Sequence, residues 1–158
     1  MASVSEDSSI RGFQDFVNEV YVLPNDRDFE LGEMLSNVQC FAMRGIKGIR
    51  QDNAENTRKN LLISLSWFAS TMTRLHADIE DAVWQRFPYL CSYCGNIPCS
   101  CKKDAVQGRK KVPVDDAKRP KTIRQFQEMF SKIYPSSNKS LELAGIHLAE
   151  ELGDLSEA

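Results

Sequence analysis

A block of nine residues that occurs twice is the feature that most constrains the fold. Residues 13–21 read FQDFVNEVY and residues 126–134 read FQEMFSKIY. A shorter acidic block follows each of them, ELGE at 30–33 and ELGD at 151–154, with eight more residues between the blocks in the second copy. Self-similarity of this kind predicts one helical unit present twice. Only four residues follow the second acidic block, so we expect the second unit to be incomplete.

Apolar residues recur at three- and four-residue spacing through both copies, and this period predicts an all-α fold. We expect helices at about 11–22, 28–44, 53–75, 79–87, 122–134 and from 141 onward. Residues that favour helix N-caps precede four of these segments, namely Asn53 (or Asp52), Asp78, Thr122 and Ser140. The sequence also predicts a turn at 24–26, which begins with Pro24, and an end to the second helix at Gly45 and Gly48.

Composition places the chain among ordinary globular proteins. Hydrophobic residues make up 42% and charged residues 27% of the 158 positions, enough for a core of normal size. No apolar run is long enough to cross a bilayer, and the polar first residues do not resemble an export signal. We therefore expect a cytoplasmic protein with no membrane partner. Cys40 lies on a predicted apolar helix face, which favours a buried position.

The other four cysteines are crowded into eleven residues and predict a metal site. Cys91, Cys94, Cys99 and Cys101 form the pattern C-x2-C-x4-C-x-C. Four thiolates complete a tetrahedral Zn²⁺ shell and leave no open position, so the ion would be structural. An iron–sulfur cluster is less favoured because its common spacings differ. Free thiols and disulfides remain alternatives.

Acidic residues one helical turn apart suggest a second metal site. On the last helix, Glu151 and Asp154 lie roughly 60° and 120° to one side of Leu148, the centre of the apolar stripe. Glu30 and Glu33 repeat the spacing in the first copy. Two such carboxylates can bind a hard divalent cation through oxygen. A solvated helix face is the alternative explanation of each pair.

These segments together resemble MazG-type nucleotide pyrophosphohydrolases. The second nine-residue block, followed by HLAEELGDLSEA at 147–158, is similar to the first two helices of that family, and the segments 60–69 and 75–88 are similar to its later helices. The resemblance implies a MazG-like helical bundle that uses Mg²⁺ to hydrolyse a nucleoside triphosphate to the monophosphate and pyrophosphate. It assigns the catalytic site to Glu150, Glu151 and Asp154, with Mg²⁺ on the last two, and cofactor binding to Glu30 and Glu33.

The chain departs from the family pattern at its second acidic pair. Asn60 and Ile63 occupy those positions, and isoleucine has no ligand atom. The first unit is therefore interpreted as a degenerate copy, and a complete site would combine acids from two units or two chains. A homodimer is expected for this reason, and because each unit must bury its apolar stripes. The alternative is a non-catalytic MazG-like assembly or nucleotide-binding module. His147 is a less favoured candidate for the general base than a carboxylate.

A basic segment joins the two predicted units. Residues 102–121 contain eight basic and three acidic side chains, but no aromatic residue that would stack on bases. This composition favours a solvated tether, and nucleic acid is not an expected partner. The predicted organisation is a disordered tail (1–10), a first MazG-like unit (11–90), a zinc loop (91–101), the linker (102–121) and a partial second unit (122–158).

Overall fold

The structure is a computed structural model that describes residues 4–5, 7–104, 108–135 and 140–157. Every regular element in these ranges is helical, which confirms the predicted all-α class. The α-helices are α1 (Ile10–Asp28), α2 (Leu31–Arg50), α3 (Ala54–Arg74), α4 (Ile79–Arg86), α5 (Cys101–Asp104), α6 (Ile123–Ile133) and α7 (Leu141–Glu157), with a 3₁₀ turn at Asp116–Lys118. None of these helices is long and apolar enough to cross a membrane.

The chain divides into two compact units that interleave along the sequence. Unit 1 comprises Met1–Phe16 and Asp78–Ser137, and unit 2 comprises Val17–Ala77 and Asn138–Ala158. Helix α6 belongs to unit 1 and α7 to unit 2, although both lie within the predicted partial second unit (122–158). The two copies of the repeat therefore do not form two equivalent bodies.

Side-chain caps begin three of the helices where the sequence predicts them. Asn53, Asp78 and Thr122 accept hydrogen bonds from the backbone N–H groups of Asn56, Asp81 and Gln125. Each bond satisfies an N–H group that the first helical turn leaves without a partner. Ser140 accepts in the same way from the N–H of Leu143, at 3.2 Å. The predicted starts of α3, α4, α6 and α7 are therefore confirmed.

The predicted turn at Pro24 is wrong, because α1 continues through it to Asp28. A residue far along the chain contacts the end of this longer helix. The Arg74 guanidinium donates to the carbonyl oxygens of Asn25 (2.8 Å) and Phe29 (2.6 Å) and pairs with the Asp26 carboxylate. These bonds provide partners for carbonyl oxygens at the helix end and so stabilise the turn that follows the proline.

The predicted end of α2 is also wrong. Gly45 and Gly48 lie inside the helix and are buried where α2 packs on α3. A Cβ atom built on Gly45 would lie 2.6 Å from the Leu61 Cδ2 atom, and one on Gly48 would lie 2.5 Å from the Thr57 Oγ1 atom and 2.8 Å from its backbone N. The glycines thus provide close helix–helix contact, and the gain in packing outweighs their poor helix propensity.

We expect Gly48→Ala to destabilise the protein by about 1–3 kcal/mol, because the new methyl group meets the backbone of α3, which cannot move aside alone. Gly32→Ala, on the same helix, is the matched control. A Cβ there meets nothing within 4 Å, so we expect a change of at most about 1 kcal/mol in the stabilising direction. Urea unfolding of both variants measures the difference. Equal effects of the two substitutions would contradict the packing argument.

The predicted burial of Cys40 is wrong as well, since its side chain is exposed. The buried face of α2 is formed instead by Met34, Val38, Ala42 and the two glycines. Two leucines of α3 are exposed too, Leu62 at 54% and Leu65 at 46%. Ser64 lies on the buried face, where its hydroxyl donates to the carbonyl oxygen of Val38 at 2.7 Å.

Candidate metal centre

The cysteine loop follows α4 directly and is buried in the core of unit 1. Cys91 and Cys94 are 1% and 2% exposed. They belong to a cluster whose other fully buried members are Trp84, Phe126, Met129 and Ile133. The cluster joins α4, the cysteine loop and α6, so the position of the sulfurs depends on packing from three parts of the chain.

All four predicted ligands converge. The sulfurs of Cys91, Cys94, Cys99 and Cys101 lie within 4.8 Å of one another. The Sγ atoms of Cys91 and Cys101 are 3.6 Å apart, much longer than a disulfide bond of about 2.05 Å. Four sulfurs placed about 2.3 Å from a tetrahedral ion would be separated by about 3.8 Å, so the geometry fits a metal ion and not a disulfide.

Tight backbone bonds give the loop its shape. The N–H of Gly95 donates to the Cys91 carbonyl oxygen at 2.9 Å, and Gly95 has a φ of 71°, which glycine adopts without strain. The N–H of Cys99 donates to the carbonyl oxygen of Ile133, the last residue of α6, at 2.7 Å. The second half of the loop is therefore fixed to α6.

Hydrogen bonds favour thiolates at the first two cysteines. Burial raises the pKa of Cys94. Hydrogen bonds from the backbone N–H groups of Ser100 and Asn96 have the opposite and larger effect, and the resulting pKa is about 6. Burial likewise raises the pKa of Cys91, and bonds from the backbone of Cys94 and from the Tyr134 hydroxyl bring it below its ordinary value. Such donors stabilise negative charge on sulfur, the form that binds metal.

Burial and the neighbouring sulfurs raise the pKa of the other two thiols. Burial raises the pKa of Cys99, and the charge of Cys91 raises it further. For Cys101, burial and the neighbouring sulfurs raise the pKa to about 12. Four thiolates this close therefore ionise together only when a bound cation offsets their charge.

Tyr134 is a site residue that sequence reasoning missed. Its hydroxyl donates to the Cys91 sulfur at 3.5 Å, and its ring lies edge-on to Phe87, with 6.4 Å between centroids. Burial is the main cause that raises the pKa of this hydroxyl above its ordinary value, so the group remains a donor. Tyr134 is the last residue of the second repeated block, and that position is the only signal in the sequence.

The predicted acidic residues are not gathered in the same way. Among the described residues, the four cysteines are the only group of three or more potential ligands within metal-binding distance. Glu151 and Asp154 are exposed on α7. Glu150 is exposed as well, and its carboxylate lies 3.0 Å from the Nδ1 atom of His147.

The two matched acidic blocks also occupy different places in their helices. Glu30 precedes the first residue of α2, and its N–H donates to the Glu33 carboxylate at 2.8 Å, which caps the helix start. Glu151 instead lies ten residues after the start of α7. Asn60, at the predicted degenerate position, is buried and donates to the carbonyl oxygen of Asn56 at 2.8 Å.

The basic segment 102–121 packs within unit 1 over much of its described part. The Asp116 carboxylate accepts a 2.7 Å hydrogen bond from the indole N–H of the fully buried Trp84. Arg119 forms ion pairs with Glu80 (3.1 Å) and Asp81, and Pro120 is buried. A freely solvated tether would make none of these contacts, so the segment is part of the fold.

The start of the chain makes a similar contact. The Ser8 carbonyl oxygen, within the predicted tail, accepts from the N–H of Ile123 at 2.8 Å. Residues 1–3 and 6 of the predicted tail lie outside the described residues, as do 105–107 of the predicted linker and 136–139 and 158 of the predicted second unit.

Comparison with known proteins adds no family to these observations. No family model, no curated protein and no solved structure matches the chain. The function must therefore be argued from the site alone, and the resemblance to MazG-type enzymes stays a prediction.

Proposed function

We propose that the four-cysteine cluster binds one Zn²⁺ ion and that this ion holds unit 1 together. The observation that carries the proposal is the convergence of four sulfurs within 4.8 Å. A shell of four thiolates leaves no position for water or substrate, so the role is structural. The ion would join Cys91 and Cys94, in the loop after α4, to Cys101 at the start of α5, and to α6 through the bonds of Tyr134 and Cys99.

Elemental analysis of the purified chain tests the identity of the metal. We expect about one equivalent of zinc per chain, because a closed tetrahedral thiolate shell suits that ion. Cobalt substitution provides a second measurement, since Co²⁺ bound by four thiolates in a tetrahedron absorbs strongly in visible light. Iron with acid-labile sulfide in place of zinc would overturn the choice of metal, and no bound metal would overturn the site.

A Mg²⁺-dependent nucleotide pyrophosphohydrolase is the second proposal. Its support is the position of Glu151 in the wall of an open groove of about 350 Å³, with Asp154 three residues further along α7. The rest of the groove is mainly apolar, with Val38, Leu65, Phe68, Leu148, Leu152 and Leu155 in its walls. The described residues provide no third acidic ligand, so this proposal requires further carboxylates from another chain.

Because this site needs carboxylates from another chain, the proposal requires the homodimer that the sequence predicts. A second copy that covers the apolar groove would remove it from water and bring its own acidic residues toward α7. Mg²⁺ held between the copies would neutralise phosphate charge and lower the pKa of an attacking water, as in other phosphoanhydride hydrolases. The alternative of a non-catalytic assembly or nucleotide-binding module needs the dimer but not the magnesium.

We expect Glu151→Gln to reduce pyrophosphate release from nucleoside triphosphates by 100-fold or more, about 2.7 kcal/mol or more of lost transition-state stabilisation, because an amide does not replace a ligand carboxylate. Glu142→Gln, also exposed on α7, is the control and should leave the rate unchanged. Light scattering on the same samples gives the mass in solution. A folded, zinc-loaded dimer without turnover in Mg²⁺ would remove the enzyme and retain the assembly module.

A further inference from the structure

The cysteine loop presents an exposed tyrosine among basic side chains. Tyr93, between the first two cysteines, is 42% exposed. The Arg109 guanidinium carbon lies 5.0 Å from the ring centroid, and that of Arg86 lies 5.9 Å away. The Arg109 side chain also donates to the Tyr93 hydroxyl at 3.3 Å. We call Tyr93, Arg86, Arg109 and Lys110 the Tyr93 surface.

The backbone fixes the basic segment beside the ring. The N–H of Lys110 donates to the Tyr93 carbonyl oxygen at 3.0 Å, and a Cβ on Gly95 would lie 3.9 Å from Val112. The basic segment itself contains no aromatic residue that could stack on bases. The fold supplies one from the cysteine loop, sixteen residues earlier than Arg109.

The surrounding charge is strongly positive. Residues 86–111 contain six basic side chains and one acidic one, a formal balance of +5. A Zn²⁺ ion with four thiolates would add −2, which leaves +3. Lys102, Lys103, Lys110 and Lys111 are all exposed. Among the residues that the structure describes, the ion pairs of unit 1 are formed by other side chains, such as Arg11 and Arg119.

We propose that the Tyr93 surface binds single-stranded nucleic acid. Aromatic rings and guanidinium planes stack on unpaired bases, while lysine and arginine contact the phosphates. An acidic peptide would pair with the basic side chains but would not stack on the Tyr93 ring. A duplex hides its base faces, and the surface is a loop with no long helix to enter a groove. DNA and RNA share the chemistry that the surface recognises.

Fluorescence anisotropy with labelled dT15 and U15 oligomers, using the full zinc-loaded chain at 50 mM salt, tests the proposal. We expect either oligomer to bind, and a preference between them identifies the natural class of strand. With three phosphates contacted, an increase to 200 mM salt should weaken binding about 20-fold. Tyr93→Ala should weaken it about tenfold or more, and Tyr93→Phe much less, because the ring provides the stacking.

Unit 2 provides matched controls. Tyr21 is 44% exposed, close to Tyr93, so Tyr21→Ala should leave binding unchanged. Arg109→Ala should weaken binding several-fold. Its control is Arg44→Ala, because the Arg44 guanidinium carbon lies 4.9 Å from the Phe41 ring centroid in a similar arrangement. Because Arg109 is exposed, its variant tests the surface even where Tyr93→Ala disturbs the loop.

Three results would overturn the proposal: no binding by the folded chain at 50 mM salt, equal competition by duplex DNA or polyglutamate, or equal losses in the Tyr21 and Tyr93 variants. The proposal relies on the zinc centre to shape the loop. The zinc content of every sample is therefore measured, so that loss of the metal and failure of a metal-loaded surface to bind are distinguished.

Discussion

Removal of the metal is expected to unfold unit 1. Apparent binding free energies of structural zinc sites are about 10–16 kcal/mol in zinc-finger peptides, as large as the stability of a whole domain. Cys91 and Cys94 are buried beside Trp84 and Ile133, so their thiolates would be left in the core without a counter-charge. Cys91→Ser or a strong chelator should therefore abolish cooperative unfolding of unit 1, and not merely lower its midpoint.

Tryptophan fluorescence reports each unit separately. Trp84 belongs to unit 1 and Trp67 to unit 2, so Trp67→Phe leaves a chain whose emission reports unit 1 alone. Its spectrum should shift to the red when the metal is removed. Cys40→Ser, at an exposed cysteine of unit 2, is the control and should retain the wild-type spectrum and zinc content. An unchanged unfolding curve after verified metal loss would contradict the structural role.

Much of the helical architecture could be predicted because its signals are local. A cap such as Asn53 or Thr122 acts on an N–H group three residues away, and the chain between them is all that the bond requires. The four metal ligands lie within eleven residues, so their spacing alone restricts the loop. Both kinds of signal can be read from a short window of sequence.

The errors arose where distant residues changed the meaning of a local signal. A glycine late in a helix usually marks the helix end. At Gly48, however, Thr57 on α3 approaches too closely for any side chain. A proline usually marks a turn. At Pro24, however, the helix continues, and Arg74 caps its end. Sequence periodicity does not reveal such contacts. Tyr93 was missed for the same reason, because its partner Arg109 belongs to a different segment.

The repeat shows how a matched sequence can have different structural roles. Phe126, Met129 and Ile133 of the second nine-residue block are buried in unit 1. In the first block the boundary between the units falls between Phe16 and Val17. A local match in sequence indicates that two helices have similar apolar faces. The residues that pack on those faces determine which unit each helix belongs to. The acidic blocks that follow therefore need not form equivalent sites.

Trp84→Ala is expected to destabilise unit 1 by about 3–5 kcal/mol, since it removes a fully buried indole and leaves a cavity. Trp84→Phe should cost less, because it keeps much of the volume, although it also loses the 2.7 Å bond to Asp116. Asp116→Ala removes only that bond and leaves the buried indole N–H without its acceptor, which should cost about 1–3 kcal/mol. Thermal unfolding of the zinc-loaded variants, followed by circular dichroism, measures the three effects. If Asp116→Ala cost as much as Trp84→Ala, the basic segment and not the aromatic core would be the main support of unit 1.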